Sequence, residues 1–448
     1  MTPTAAPALA WLHDDRITAG AQTHDPDGDD DGDLIGPRRP GSAWRAALLP
    51  PLAVVLVLVL GYGAALLLWP LHAVAPRVEA VAVTTNPAVA AAPAWPADGS
   101  AALGVAGLGS PLSSAAEAVP MASITKVVTA LVVLDRLPLA VGEQGPEYTF
   151  TAADRADYRA TIAAGESALP VVVGESLTQY QLLEGLLIGS AGNYADYLVA
   201  QIAPSHAVYA RAANEWLAQH GLGGITVVNP SGISPRNVAT PAALVTLAQR
   251  ALTNPVIAEI VAKTSVDLPG VGLVENTNAL LGEPGVIGVK TGFLGRDYNL
   301  LAARDIAVGD VTVRAFVAVL GQDTSAARFD EARALLASLD APLQPTLAVP
   351  EGTVVGTVTT LWGEPVPIVT DADAAVILFN GGAATATPQL ALGEAGDDRA
   401  AGAVAGTLQV TGPLDAADVD AVLQSAVEDP SMWWRLTHPL ELLGLADG

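Results

Sequence analysis

Ser123 and Lys126 stand three residues apart in MASITKVVTALVVLD, residues 121–135, a run that is otherwise largely apolar. The chain holds three lysines against eighteen arginines, so a lysine here is an uncommon choice. Pro120 precedes the segment, and no Gly or Pro follows Ser123 until Pro138, which predicts one helix from about Ser123 to Leu134. Residues three apart share a helix face, so the hydroxyl and the amine come within reach of each other. Val127, Val128, Ala130, Leu131, Val132, Val133 and Leu134 surround that helix with apolar surface and mark it as buried. Burial disfavours the ammonium form and lowers a lysine pKa; a neutral amine beside a hydroxyl is a general base. Arginine cannot take that part, because it does not deprotonate in proteins. The helix N-terminus further favours negative charge developing on Ser123. Taken alone, the pair reads equally well as a lysine that snorkels to the surface.

Two further groups carry polar side chains between apolar runs. Lys290-Thr291-Gly292 lies in VIGVKTG, a predicted strand whose glycine leaves room for a ligand backbone to approach. An adjacent ammonium and hydroxyl can hold a substrate carboxylate. In GSAGNYADYL, residues 189–198, one helix ends at Gly189 and another begins soon after Ser190. Ser190 and Asn193 there face a cleft or cap a helix.

The elements that must position these residues follow from composition. A length of 448 residues suggests two or three domains. Cysteine is absent, which excludes disulfides and thiolate metal sites. The net charge of −25 argues against a nucleic-acid partner. Residues 1–45 read as a disordered acidic cytoplasmic tail, in which DGDDDG (27–32) opens like a calcium loop but has Arg38 where the bidentate Glu belongs. Hydrophobic residues make up 51% of the chain and mean hydropathy is +0.41. Residues 46–69 carry no charge, enough apolar length for a transmembrane helix. Arg38, Arg39 and Arg45 precede it, so the N-terminus is expected in the cytoplasm and the rest outside. A cleaved signal peptide is the rival reading, since Ala73-Val74-Ala75 has a small-x-small pattern. Residues 70–99 read as an Ala/Pro-rich linker, 100–345 as a globular catalytic segment and 346–412 as a small β-rich domain. The remainder, 413–448, reads as a tail whose SMWWRLTHPLELLGL (431–445) either lies in a membrane interface or docks on a neighbouring domain. Beyond Lys290, YNLLAAR and VTVRAFVAVLG read as paired strands, and TSAARFDEARALLASL as a helix with Phe329, Ala332, Leu336 and Leu339 on one face.

Ser123-Ile-Thr-Lys126, then Ser190, then Lys290-Thr291-Gly292 stand in the order and approximate spacing of the penicillin-binding D-alanyl-D-alanine carboxypeptidases, and the chain resembles that active-site-serine family. SGISPRN (231–237) and ENTNALL (275–281) look like family loops. The resemblance implies an α/β fold of the β-lactamase and penicillin-binding-protein type, an antiparallel sheet flanked by helices. It implies a penicillin-sensitive hydrolase with no cofactor and no metal, acting on peptidoglycan stem peptides that end in D-Ala-D-Ala. Ser123 would be the nucleophile, Lys126 its base and Ser190 a proton relay. Lys290 and Thr291, beside Gly292, would bind the terminal carboxylate, and the backbone of Ser123 and Phe293 would form the oxyanion hole. One position departs: the family's Ser-x-Asn would put asparagine at 192, where this chain has Gly192, with Asn193 one place later as candidate catalytic support. A β-lactamase, a DD-endopeptidase or transpeptidase on the same fold, and a membrane-anchored wall-binding protein with a decayed site are the alternatives. No Gly-x-Ser-x-Gly elbow or His-Glu-x-x-His helix occurs.

Overall fold

A computed structural model of the protein describes residues 43–393 and 396–445. The acidic tail, with its calcium-loop-like stretch, falls almost wholly outside the described residues. The chain divides into two compact units, Met1–Trp69 and Pro70–Gly448. In the first, a helix spans Ala43–Leu67. Its Leu48–Leu67 portion has a mean hydropathy of 2.2, long and apolar enough to cross a membrane.

In the second unit, an antiparallel five-stranded sheet takes the order Val286–Leu294, Asp297–Val308, Val311–Gln322, Ser100–Val105, Leu112–Ser113. The middle pair is the one read from YNLLAAR and VTVRAFVAVLG. Its ladder runs on to Val308 opposite Val311, so only Gly309 and Asp310 form the turn. Successive strand residues point to opposite faces, and both faces are covered. Ala102, Leu301, Ala303, Ala318 and Leu320 enter a core under several helices. Leu103, Leu300, Val317 and Val319 pack instead with Phe329, Leu335 and Leu336 of the helix Ser325–Ala337.

The helix Thr125–Arg136 runs through the larger core, buried at every residue from Thr125 to Leu134. Around it pack the helices Gln179–Leu187, Gly192–Ala200, His206–Gln219 and Pro241–Leu252. Thr178, Ser205 and Thr240 cap three of these by accepting the N–H of Gln181, Val208 and Ala243, groups that a helix start leaves without partners.

A six-stranded sheet forms a separate layer, in the order Arg77–Ala80, Val354–Thr359, Val366–Thr370, Ala416–Leu423, Val404–Thr411, Thr385–Leu390. Two expected boundaries change here. The linker over 70–99 contributes Arg77–Ala80, which pairs with Val354–Thr359, and Asn86 N and Ala88 N donate to the carbonyls of Ala348 and Gly382. Extended chain with free N–H groups satisfies them on a sheet edge, and Ala88 is buried there. The expected end at 412 is also too early, because Ala416–Leu423 is an interior strand that buries Ala421 and Leu423. Beyond it, Trp434 meets Trp362 edge-on at 5.6 Å and Leu442 is fully buried, whereas Met432 and Trp433 are each 74% exposed.

Candidate active site

The chain ahead of Ser123 is fixed from three directions. Asn299 Nδ2 donates to Pro120 O at 3.0 Å, while its Oδ1 accepts from Gly321 N at 2.8 Å. Met121 N donates to Asn237 O at 3.0 Å. Gly292 allows the edge strand Val286–Leu294 to press close, since a Cβ there would lie 2.9 Å from Met121 O and 3.2 Å from Ala122 Cβ. Ala122 takes a φ of +50°, a left-handed conformation that costs a non-glycine residue on the order of 1–3 kcal/mol and persists only where its surroundings impose it. The chain then forms a short 3-10 turn, Ala122–Ile124, before the α-helix opens at Thr125. Ser123 thus lies in a tightened first turn, two residues ahead of the helix that its spacing predicted it would begin.

Lys126 reaches back along that turn. Its Nζ lies 2.9 Å from Ser123 Oγ and 2.5 Å from the carbonyl oxygen of Ser231, and the side chain is 2% exposed. Thr129, one turn on, holds the same loop by donating to Pro230 O at 2.8 Å. Burial lowers the Lys126 pKa to about 8, against the raising effect of the Glu166 and Asp196 charges. The amine therefore releases its proton near neutrality while in contact with the serine oxygen. This is the arrangement required of a base, and the snorkelling alternative does not describe it.

Ser123, Lys126, Ser190, Thr291, Gly292 and Phe293 line one cavity of about 160 Å³. Ser190 is 6% exposed and adopts a φ of +58° between two helices. Thr291 Oγ1 meets Thr277 Oγ1 at 2.5 Å. Lys290 is not in the lining. Its Nζ is buried without a hydrogen-bond partner, and its pKa is held well below the ordinary lysine value by burial and then by the charges of Lys126 and Arg328.

Asn193 is not brought to this cavity. Its Oδ1 accepts from Leu169 N at 3.1 Å and its Nδ2 donates to Leu169 O at 2.9 Å. Both ends of the amide are thereby committed to one backbone residue, and the side chain lines a neighbouring space of about 520 Å³ with Phe150, Tyr194 and Asp196. Four contributors escaped the sequence reading: Glu166, the Ser231 carbonyl, Thr277 and Arg328. Thr277 and Ser231 lie within the loops that resembled the family. Arg328, on the helix after the sheet, donates to Gly292 O at 3.0 Å and to Ser325 Oγ at 3.0 Å; nothing local distinguished it from other helix arginines. Among the described residues, no group of three or more His, Asp or Glu side chains converges as metal ligands would.

Residues 113–324, slightly under half of the chain, match the family model described as D-alanyl-D-alanine carboxypeptidase. A solved D-alanyl-D-alanine carboxypeptidase from Mycobacterium tuberculosis is 28% identical, over 59% of this chain and 98% of that one, with a TM-score of 0.49. Penicillin-binding protein D2 from Listeria monocytogenes, in its ampicillin-bound form, is 23% identical over 54% of this chain and 96% of its own, with a TM-score of 0.44. A peptidoglycan synthesis regulatory factor (PBP3) from Streptococcus pneumoniae is 20% identical over 75% of this chain and all of its own, with a TM-score of 0.51. That last likeness is one of fold. Among curated proteins, none matches the chain in sequence.

Proposed function

We propose that this chain, whose residues 113–324 match the family model described as D-alanyl-D-alanine carboxypeptidase, is a serine hydrolase that removes the terminal D-alanine from peptidoglycan stem peptides. Neutral Lys126 accepts the proton of Ser123 as Oγ attacks the carbonyl between the two terminal D-alanines. The N–H groups of Ser123 and Phe293 stabilise the oxyanion. Ser190 passes the proton to the departing amine, and the C–N bond breaks to leave an ester on Ser123. Thr291, with Arg328 at the cavity wall, holds the carboxylate of the leaving D-alanine, while Lys290 stays buried outside the lining. Water then cleaves the ester. A β-lactam enters the same path through its strained amide and forms an ester on Ser123, which water releases in the same way.

One contact carries this reading: a lysine nitrogen, shielded from solvent and with a lowered pKa, 2.9 Å from a serine oxygen at the wall of a cavity. The family's description supplies the substrate class. Incubation with benzylpenicillin followed by peptide mapping by mass spectrometry tests it. An adduct on the peptide that contains Ser123, together with release of D-alanine from a peptide ending in D-Ala-D-Ala, is the expected result. Absence of both favours a wall-binding protein that performs no chemistry.

The apolar helix Ala43–Leu67 supports a single-pass anchor with its N-terminus cytoplasmic and residues from 70 onward outside the membrane. Protease shaving of intact cells checks the orientation, which requires that the segment with Ser123 be accessible from outside.

A further inference from the structure

Glu166 occupies the space that the missing asparagine would fill. It follows the helix Ala152–Ala163, with its N–H on Thr161 O at 3.1 Å, and the next residue's carbonyl accepts from Gly192 N at 2.7 Å. A Cβ built on Gly192 would lie 2.6 Å from Glu166 Oε2. Any side chain at 192 would therefore have to displace this carboxylate, and glycine leaves room for it. Glu166 lines the same cavity of about 160 Å³ as Ser123, Lys126 and Ser190. Its carboxylate has no hydrogen-bond or ion-pair partner among the described residues.

The exchange of chemistry is specific. An asparagine amide both donates and accepts, whereas an ionised carboxylate only accepts. The cavity loses a donor for a substrate carbonyl and gains a proton acceptor. Lys126 is already committed to Ser123 Oγ and to the Ser231 carbonyl, and Glu166 adds a second proton acceptor to the lining of the cavity that Ser123 shares.

We propose that Glu166 is the proton acceptor for the water that releases the acyl group from Ser123, an assignment that rests on the acyl-enzyme reading above. One water proton passes to the Glu166 carboxylate as the water oxygen bonds to the ester carbonyl carbon. The bond from that carbon to Ser123 Oγ breaks, and the proton returns through Lys126 to Oγ. Water is the only co-reactant.

The test uses the full-length protein in detergent with benzylpenicillin, and follows formation and loss of the adduct separately by mass spectrometry. Glu166→Gln keeps size and removes the acceptor. Adduct formation should stay within about threefold of wild type while its loss slows by about a hundredfold or more, the usual contribution of a general base. Gly192→Asn leaves the carboxylate in the chain but drives it from its place, and should slow adduct loss in the same sense. Glu166→Asp, a shorter carboxylate, should fall between wild type and Glu166→Gln. Adduct loss from folded Glu166→Gln at the wild-type rate overturns the assignment alone, as does an equal fall in formation and loss. A wild-type protein that never forms an adduct on Ser123 overturns the acyl-enzyme reading and this one with it.

Discussion

The two walls of the cavity are built to different tolerances. On one, Ser123 is preceded by residues that Asn299, Asn237 and the edge strand hold in place, and its base contacts both Oγ and a fixed backbone carbonyl. On the other, the Ser190 hydroxyl has no hydrogen bond among the described residues, position 192 has no side chain, and Asn193 is turned onto Leu169. Attack on a carbonyl needs a nucleophile and base within a few tenths of an ångström of their working positions. Proton relay and release are served by groups that complete their hydrogen bonds only with substrate or water present. The contrast separates formation of the ester, specified by contacts within the chain, from its departure, specified jointly with what binds.

The largest expected effects fall on the first wall. Ser123→Ala should abolish both D-alanine release and benzylpenicillin labelling, because among the described residues no other hydroxyl is hydrogen-bonded to Lys126. Residual labelling of that variant would place the nucleophile on Ser190 and invert the comparison. Lys126→Arg retains the charge and removes the titratable base. Labelling should slow by on the order of a thousandfold, within the range seen for lost general bases, in stopped-flow or gel assays with a fluorescent penicillin. A loss below tenfold would mean that Lys126 only positions the serine.

The same wall sets a pH dependence. With a pKa near 8, lowered by burial, Lys126 is protonated below that value and neutral above it. The acylation rate constant should therefore rise about tenfold per unit from pH 6 toward 8 and level off beyond. Glu166 raises the Lys126 pKa, so Glu166→Gln should move that inflection to lower pH. A flat profile between pH 6 and 8 would separate acylation from the titration of Lys126.

What could be read in advance follows the range of the interactions. The Ser123–Lys126 contact needs only three residues of spacing and a buried helix, both local, and it is found at hydrogen-bond distance. The paired long strands likewise announce themselves by composition and a short turn. By contrast, the strand Arg77–Ala80 takes its partner from Val354–Thr359, far along the chain, and a segment rich in Ala and Pro carries no period to reveal it. Glu166 belongs to a loop tied to position 192 by a backbone hydrogen bond and an absent side chain. The glycine at 192 was legible as a departure; the carboxylate that fills its place was not.

The smallest effect is expected at Asn193, and it sharpens the comparison most directly. A shifted asparagine invites the reading that a local bulge lets Asn193 do the work of the family residue at 192. Its amide, however, is satisfied at both ends by the N–H and carbonyl of Leu169, and swinging it toward Ser123 would leave those groups without partners. Removing a partner from partly buried backbone groups costs about 1–3 kcal/mol. Asn193→Ala should accordingly lower stability by roughly that amount in urea denaturation, while penicillin labelling per folded molecule changes by less than about threefold, since no hydrogen bond to the reacting groups is lost. The opposite pattern, unchanged stability with labelling reduced by more than about tenfold, would show that the amide rotates into the cavity when substrate binds. In that case the second wall, too, would draw its chemistry from the asparagine.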